Sequence, residues 1–180
     1  CVRLISIMIP IACPKIGEEE AKAVYDVIKS GWLSMGKKVI QFEKNVCDYT
    51  GSKFAIAMNN GTSSLHSILL ALGVGPGDEV ILPTLTYISS SNVVLYLGAV
   101  PVLCDNNART FNVNLEHIKE KITNKTKAIM TVDLKGQPVD FDAINVFSKE
   151  TDIPIISDSA ESFGAIYKGE KVKKGVLIMK

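Results

Sequence analysis

The chain has little with which to hold a metal or grip a polyanion. It has only two histidines and four cysteines. Cys1, Cys13, Cys47 and Cys104 form no C-x-x-C pair and have no partnering histidine, which argues against both a zinc site and a disulfide framework. No metal ligands are assigned, and the thiols read as reduced structural residues of a cytoplasmic protein. Charge of one sign is also missing. Against 20 Lys+Arg stand 19 Asp+Glu, a formal net charge of +1, so there is no electrostatic footprint for nucleic acid or an anionic membrane. The apolar run Leu4 to Ile9 is too short to span a bilayer and stops at Pro10. As a signal peptide it lacks a small-residue cleavage site, because Pro10-Ile11-Ala12 is a poor one. It reads as a buried extended arm, with Met8 the candidate natural start. Repeats and low-complexity segments are absent as well. The 180 residues, 47% apolar and 22% charged, suit one ordinary soluble domain with a substantial core.

Alternation of short apolar runs with helical patterns fills most of the length. Glu18 to Ser30 opens acidic, closes basic and places Ala21, Val24, Val27 and Ile28 on one face, which predicts a helix ended by Gly31. Gly31 to Gly36 is a loop holding the only Trp, Trp32. A second helix with Val39, Phe42, Val46 and Tyr49 as its stripe stops near Gly51. Strands are predicted at Phe54–Met58, Glu79–Leu82, Val100–Cys104, Lys127–Val132 and the run ending at Asp158. Helices are predicted between them at Thr62–Leu72, Ile88–Leu97, Leu115–Ile122 and Phe141–Lys149. This is the pattern of βαβ units, an α/β fold with a mainly parallel sheet covered by helices on both faces.

The strand ends carry the polar residues. Ile153-Pro154-Ile155-Ile156-Ser157-Asp158 is an apolar run that stops on a carboxylate, where open α/β sheets bind their ligands. A carboxylate buried there is costly unless a cation or hydrogen-bond donors meet it; the plainer alternative is a cap on the following turn. After the first predicted strand, Gly61 offers a sharp turn, and Thr62 and Ser63 stand at a helix N-terminus. They form either a phosphate cup or an ordinary N-cap, and match neither the Walker A loop nor the dinucleotide fingerprint. Tyr87 supplies an aromatic ring after the second strand, for stacking on a planar group or for core packing. Asp105, Asp133 and Asp158 end three strands and together predict an acidic rim. A phosphate cup, a stacking ring and a carboxylate awaiting a cation describe a site for pyridoxal phosphate, whose pyridine nitrogen a carboxylate keeps protonated.

From about Ile9 to Gly169 the sequence also resembles the DegT/DnrJ/EryC1/StrS family of pyridoxal-phosphate-dependent nucleotide-sugar aminotransferases. The motifs are Gly31-Trp32-Leu33 with Gly36 and Phe42-Glu43, Asn60-Gly61-Thr62-Ser63-Ser64-Leu65, and Gly75-Pro76-Gly77-Asp78-Glu79-Val80-Ile81-Leu82-Pro83. They continue with Thr86-Tyr87, Gly98-Ala99-Val100-Pro101-Val102, Gly136-Gln137-Pro138 and Asp158-Ser159-Ala160-Glu161-Ser162-Phe163-Gly164-Ala165. The resemblance implies the large domain of the aspartate-aminotransferase fold (fold type I), truncated: an arm over residues 1–16, a partial cofactor domain over 17–169 and a divergent tail over 170–180. It implies that Gly61, Thr62 and Ser63 bind the cofactor phosphate, that Tyr87 stacks on the ring and that Asp158 pairs with its nitrogen. Glu161 falls near the phenolic oxygen, and Trp32 lies at the nucleotide-sugar entrance. Such enzymes are homodimers that move an amino group, usually from glutamate, onto a keto carbon of a nucleotide-linked deoxysugar for polysaccharide or glycan biosynthesis.

The departure comes after Gly169, where the family continues to the lysine that forms the internal Schiff base. Here Glu170-Lys171-Val172-Lys173-Lys174-Gly175-Val176-Leu177-Ile178-Met179-Lys180 follows. Lys180 has the residue type but not the flanks, and Lys135 follows a strand end like any solvated loop lysine. The catalytic lysine is therefore unassigned, and a chain inactive on its own is the expectation. The other readings are a non-catalytic phosphate- or cofactor-binding remnant that pairs with a full-length relative, a fragment of the related dehydratases, or a half whose complement a neighbouring reading frame supplies.

Overall fold

Two-sided burial is what makes the apolar runs strands. The computed structural model describes residues 13–172 and the strand backbone at 176–179; Leu4–Ile9, Lys173, Lys174 and Lys180 lie outside the described residues, and of the arm expected over 1–16 only residues 13–16 are described, all of them exposed. β1 (Glu79–Pro83), β2 (Val100–Cys104), β3 (Thr126–Val132) and β4 (Ile155–Asp158) pair in parallel in the order β2-β1-β3-β4. β5 (Ile166–Tyr167) and β6 (Glu170–Lys171) form a small antiparallel ribbon, and β7 (Val176–Met179) adds to β4 antiparallel. The sheet is thus mainly parallel.

Successive residues of each strand face opposite layers. Val80, Leu82, Ala128, Met130 and Ile156 pack with Leu65 and Leu69 of α3 (Gly61–Ala71) and with Val93 and Val94 of α4 (Ser89–Tyr96). Ile81, Ile129 and Ile155 pack on the other side with Ile118 of α5 (Leu115–Lys121) and with Phe141, Ile144 and Phe147 of α6 (Phe141–Thr151). These helices fall within two residues of the predicted spans. Cys104 closes β2 inside the second layer, where burial pushes its thiol up to about 11.

The chain divides into two compact units, one up to Gln41 and one from Phe42 onward. In the first, α1 (Glu18–Ser30) starts where Gly17 N–H donates to Glu20 Oε2 at 2.7 Å, and ends at Gly31 with φ 70°. Trp32 Nε1 donates to Met35 O at 3.1 Å, and a Cβ on Gly36 would lie 2.4 Å from the indole nitrogen, so any larger residue there must displace the exposed Trp32 ring. α2 (Lys37–Thr50) contains the boundary, with Phe42 to Thr50 in the second unit, and ends at Gly51 as expected.

The strand expected at Phe54–Met58 does not form: the segment has no ladder partner among the described residues. The alternation survives as half-buried Ala55 and Ala57 between exposed Phe54 (76%) and Ile56 (80%), and Ala57 N–H donates to Glu43 Oε1 at 2.9 Å. Period two in a sequence specifies a pleat, whereas a strand exists only once a neighbour accepts its backbone bonds. Replacing Phe54 and Ile56 by Ser and Thr should therefore change the unfolding free energy by no more than about 0.5 kcal/mol each. Ile129→Ala, in the middle of the sheet, should cost roughly 2–5 kcal/mol. Urea denaturation of the three proteins checks both.

Candidate functional site

The turn before α3 is made by Asn60, not by Gly61. Asn60 is extended at φ −166° and ψ 167°, and its Oδ1 accepts Ser63 N–H at 2.8 Å. Gly61 has no left-handed φ, and a Cβ on it would meet nothing within 4 Å. The sharp turn expected of the glycine is thus supplied by an N-cap asparagine. The first N–H groups of the helix still lack intrahelical acceptors, and the hydroxyls of Thr62 and Ser63 have no partner among the described residues. Ser63 N–H is committed to the cap, so an anion here would be met by the Gly61 and Thr62 amides and the two hydroxyls.

Tyr87 follows β1 on a loop tied to β2. Thr84 N–H and Oγ1 both donate to Cys104 O, at 2.9 and 3.0 Å, and Leu85 N–H donates to Asn106 Oδ1 at 2.9 Å. The ring itself is 74% exposed. An aromatic so placed has a free face for stacking, since core packing has not claimed it.

Asp158 ends β4 half-buried, its Oδ1 accepting Ala160 N–H at 3.2 Å. Burial holds its pKa above the ordinary carboxylate value; the amide of Ala160 works the other way, and the charges of Asp133 and Glu161 add to the rise. No lysine or arginine pairs with it among the described residues. Glu161 is exposed and takes Lys135 N–H on Oε2 at 2.5 Å. Lys135 and Gly136 are consecutive left-handed residues, and a Cβ on Gly136 would come within 3.2 Å of Glu161 O. Lys135 sends its ammonium over the Phe111 ring, 5.7 Å from the centroid.

The acidic rim expected from three strand-end aspartates is not there. Asp105 is exposed and Asp158 half-buried, while Asp133 is wholly buried. Asp133 lies inside because the neighbouring segments supply donors: Val139 N–H at 2.9 Å, Ser159 Oγ at 2.8 Å and Ser162 Oγ at 2.5 Å. Sequence reasoning treated it as a turn former and missed this role, as it missed Asn60 as the cap. The one available signal was the pair of small hydroxyl residues, Ser159 and Ser162, just past the strand.

A groove of about 700 Å³ runs beside these residues, with Phe42, Val46, Tyr49, Met58, Ser64 and Phe163 in its walls. The start of α3 and the turn after β4 thus face one space. Tyr49 stacks on Phe163 with centroids 5.4 Å apart. Gly164, at φ 85°, is required beside them, because a Cβ would lie 2.8 Å from Tyr49 Oη. Trp32 belongs to the other unit, with its ring exposed.

The profile of the DegT/DnrJ/EryC1/StrS aminotransferase family matches residues 14–176. The chain belongs to that family. It is 47% identical over 164 residues to GDP-perosamine synthase of Caulobacter vibrioides, an alignment covering 91% of this chain and 44% of the relative. A sugar aminotransferase, Spr1654 from Streptococcus pneumoniae in its PMP form, superposes with TM-score 0.87 at 36% identity, over 93% of this chain and 46% of that one. The E. coli GDP-4-keto-6-deoxy-D-mannose-3-dehydratase with bound hydrated PLP matches with TM-score 0.83 at 31% identity, over 89% and 43%. The chain therefore spans less than half the length of these relatives, and has the fold of their PLP-containing structures.

The raised pKa of Asp158 has a consequence for stability. The folded state holds the proton more tightly than the unfolded chain, so stability is fully present below the unfolded value, near 3.8, and is lost as pH rises through the raised folded value. Asp158→Asn removes that loss and keeps an oxygen for Ala160 N–H. In cofactor-free protein the melting temperature of the variant should exceed that of the parent at neutral pH, with the gap closing toward pH 4. Melting curves across that range test it; a gap that does not vary with pH contradicts it.

Proposed function

We infer that the chain is the cofactor-binding portion of a pyridoxal-phosphate-dependent aminotransferase acting on a nucleotide-linked keto-deoxysugar. The observation that carries this is Asp158, a desolvated strand-end carboxylate with a raised pKa and no cation paired to it among the described residues. A protonated pyridine nitrogen is the partner it lacks. The residues fit the rest of the cofactor as well. The α3 N-terminus offers amides and the Thr62 and Ser63 hydroxyls to a phosphate dianion, with Gly61 leaving room for it. Tyr87 presents an open ring face.

When bound, the cofactor supplies an electron sink for bonds at an amine-bearing carbon. Asp158 would hold the proton on the ring nitrogen, the helix end would anchor the phosphate, and Tyr87 would stack on the ring. Glu161 would stand near the phenolic oxygen, with its Oε2 already engaged by Lys135 N–H. Trp32 would contact the nucleotide-sugar. The donor would be an amino acid, glutamate first among them, and the working assembly a cytoplasmic homodimer or a pairing with a full-length relative. Amino transfer is favoured over dehydration by the 47% identity to a perosamine synthase against 31% to the dehydratase. The proton transfers of either reaction need a base; among the described lysines Lys135 is turned toward the Phe111 ring, and Lys171 lies over the Tyr49 ring, 4.0 Å from its centroid. No lysine here stands in the Schiff-base context of the family, and on that reading the 180 residues bind cofactor without turnover.

Titrating the purified chain with pyridoxal phosphate, followed by absorbance, should give saturable binding. Thr62→Ala and Ser63→Ala should each weaken it about tenfold, as expected for one charge-assisted hydrogen bond. Borohydride treatment and mass analysis should leave no lysine carrying the cofactor. Absence of saturable binding, or binding indifferent to both substitutions, contradicts the site; a covalently labelled lysine with amino transfer to a keto-sugar nucleotide contradicts the inactivity.

A further inference from the structure

Asp133 is a buried carboxylate that the reading above leaves without a role. It is fully buried, as are Ser157 and Ser159, and Ser162 is 2% exposed. One oxygen takes Val139 N–H; the other takes both Ser159 Oγ and Ser162 Oγ, and Ser159 Oγ also meets Ser157 Oγ at 3.0 Å. A cluster like this is seldom the most stable way to fill a core, since a well-packed apolar set commonly does as well or better. Its geometry shows what it does instead.

We propose that Asp133 is the positioning residue for Asp158: it fixes the turn that follows β4, and so aims the Asp158 carboxylate. The two strand ends are joined through the backbone where Asp133 N–H donates to Asp158 O at 3.0 Å. The residue after Asp158 is held by its hydroxyl, and Ser162, four residues on, by another. Between them the turn closes through Ser162 N–H to Ser159 O at 3.1 Å, and leaves through Ala165 N–H to Ser162 O at 2.8 Å. The Ala160 amide that meets Asp158 Oδ1 lies inside this clamped turn. Asp133 is itself seated on a braced loop: Asn112 takes Leu134 N–H on Oδ1 and donates from Nδ2 to Gln137 O, at 3.3 and 2.9 Å.

The choice of variant separates aiming from electrostatics. Asp133→Asn removes the negative charge, which would itself favour a cation nearby, but keeps an oxygen for the Ser159 and Ser162 hydroxyls. Ser162→Ala removes one bond of the clamp and leaves the charge in place. A purely electrostatic role therefore predicts an effect of Asp133→Asn and none of Ser162→Ala, whereas the aiming role predicts an effect of Ser162→Ala.

The inference rests on the cofactor reading, and its test keeps the two apart. Hydrogen exchange of the ligand-free chain reads the clamp directly. Asp133→Ala and, as a milder variant, Ser162→Ala should speed exchange of the Ser162 and Ala165 amides at least tenfold, and Asp133→Asn should restore part of the protection. Unchanged exchange overturns the proposal. Affinities for pyridoxal phosphate and for its 1-deaza analogue, which has carbon in place of the ring nitrogen, then isolate the Asp158 contact. The parent should prefer the natural compound about tenfold. Asp133→Ala and Ser162→Ala should bring that preference toward one, whereas Thr62→Ala should weaken both compounds equally. A preference kept intact in Ser162→Ala, whether or not Asp133→Asn lowers it, overturns the aiming role. A parent that binds neither compound overturns the cofactor reading itself, and with it the purpose assigned to the clamp.

Discussion

Parallel pairing of β1, β3 and β4 under helices on both faces is the constraint on which the rest depends. A sheet covered on both sides has no place along its strands for a group that needs water, so polar side chains collect where the ladder stops. Val132 and Asp158 end their strands in register. That alignment brings Asp133 next to the backbone of Asp158. The neighbouring β1 ends at Pro83, which sends Tyr87 out at the same edge.

At that edge the chain separates two kinds of carboxylate by what it gives them to bond. Asp133 receives three donors and disappears into the interior. Asp158 receives one amide, stays half-buried and keeps its proton more readily than an ordinary aspartate. Desolvation left uncompensated is a stored cost, and a cationic ligand is what would relieve it. The stacking of Tyr49 on Phe163, made close by Gly164, ties α2 to the same turn. The post-β4 turn is thus held from inside by Asp133, from one side by aromatic packing and from the other by Glu161 on Lys135 N–H.

Much of this was legible beforehand. Long, strongly patterned elements read correctly: α1 with its acidic start and Gly31, and β1 to β4 as continuous apolar runs. The same pattern, together with residue type, put Thr62 and Ser63 at a helix start, Tyr87 on the loop after β1 and Asp158 at the end of β4, where the structure has them. The failures share a cause. Phe54–Met58 has the alternation of a strand but no ladder, because pairing is a property of two segments. Gly61 was credited with a turn that Asn60 makes, because a glycine's freedom is visible in a sequence while its use is not. Asp133 looked like Asp105 and Asp158, since all three follow apolar runs.

The sequence alone therefore determined the family, the α/β class, the order of the elements and which residue types stand at the C-terminal edge of the parallel strands. Local propensity and periodicity suffice for those, because they depend on neighbours within a few residues. Only the tertiary structure decided which aspartate is buried, which is strained by its burial and which is solvated. Those depend on donors brought from 6, 26 and 29 residues away, and a carboxylate's cost is set by the donors that reach it.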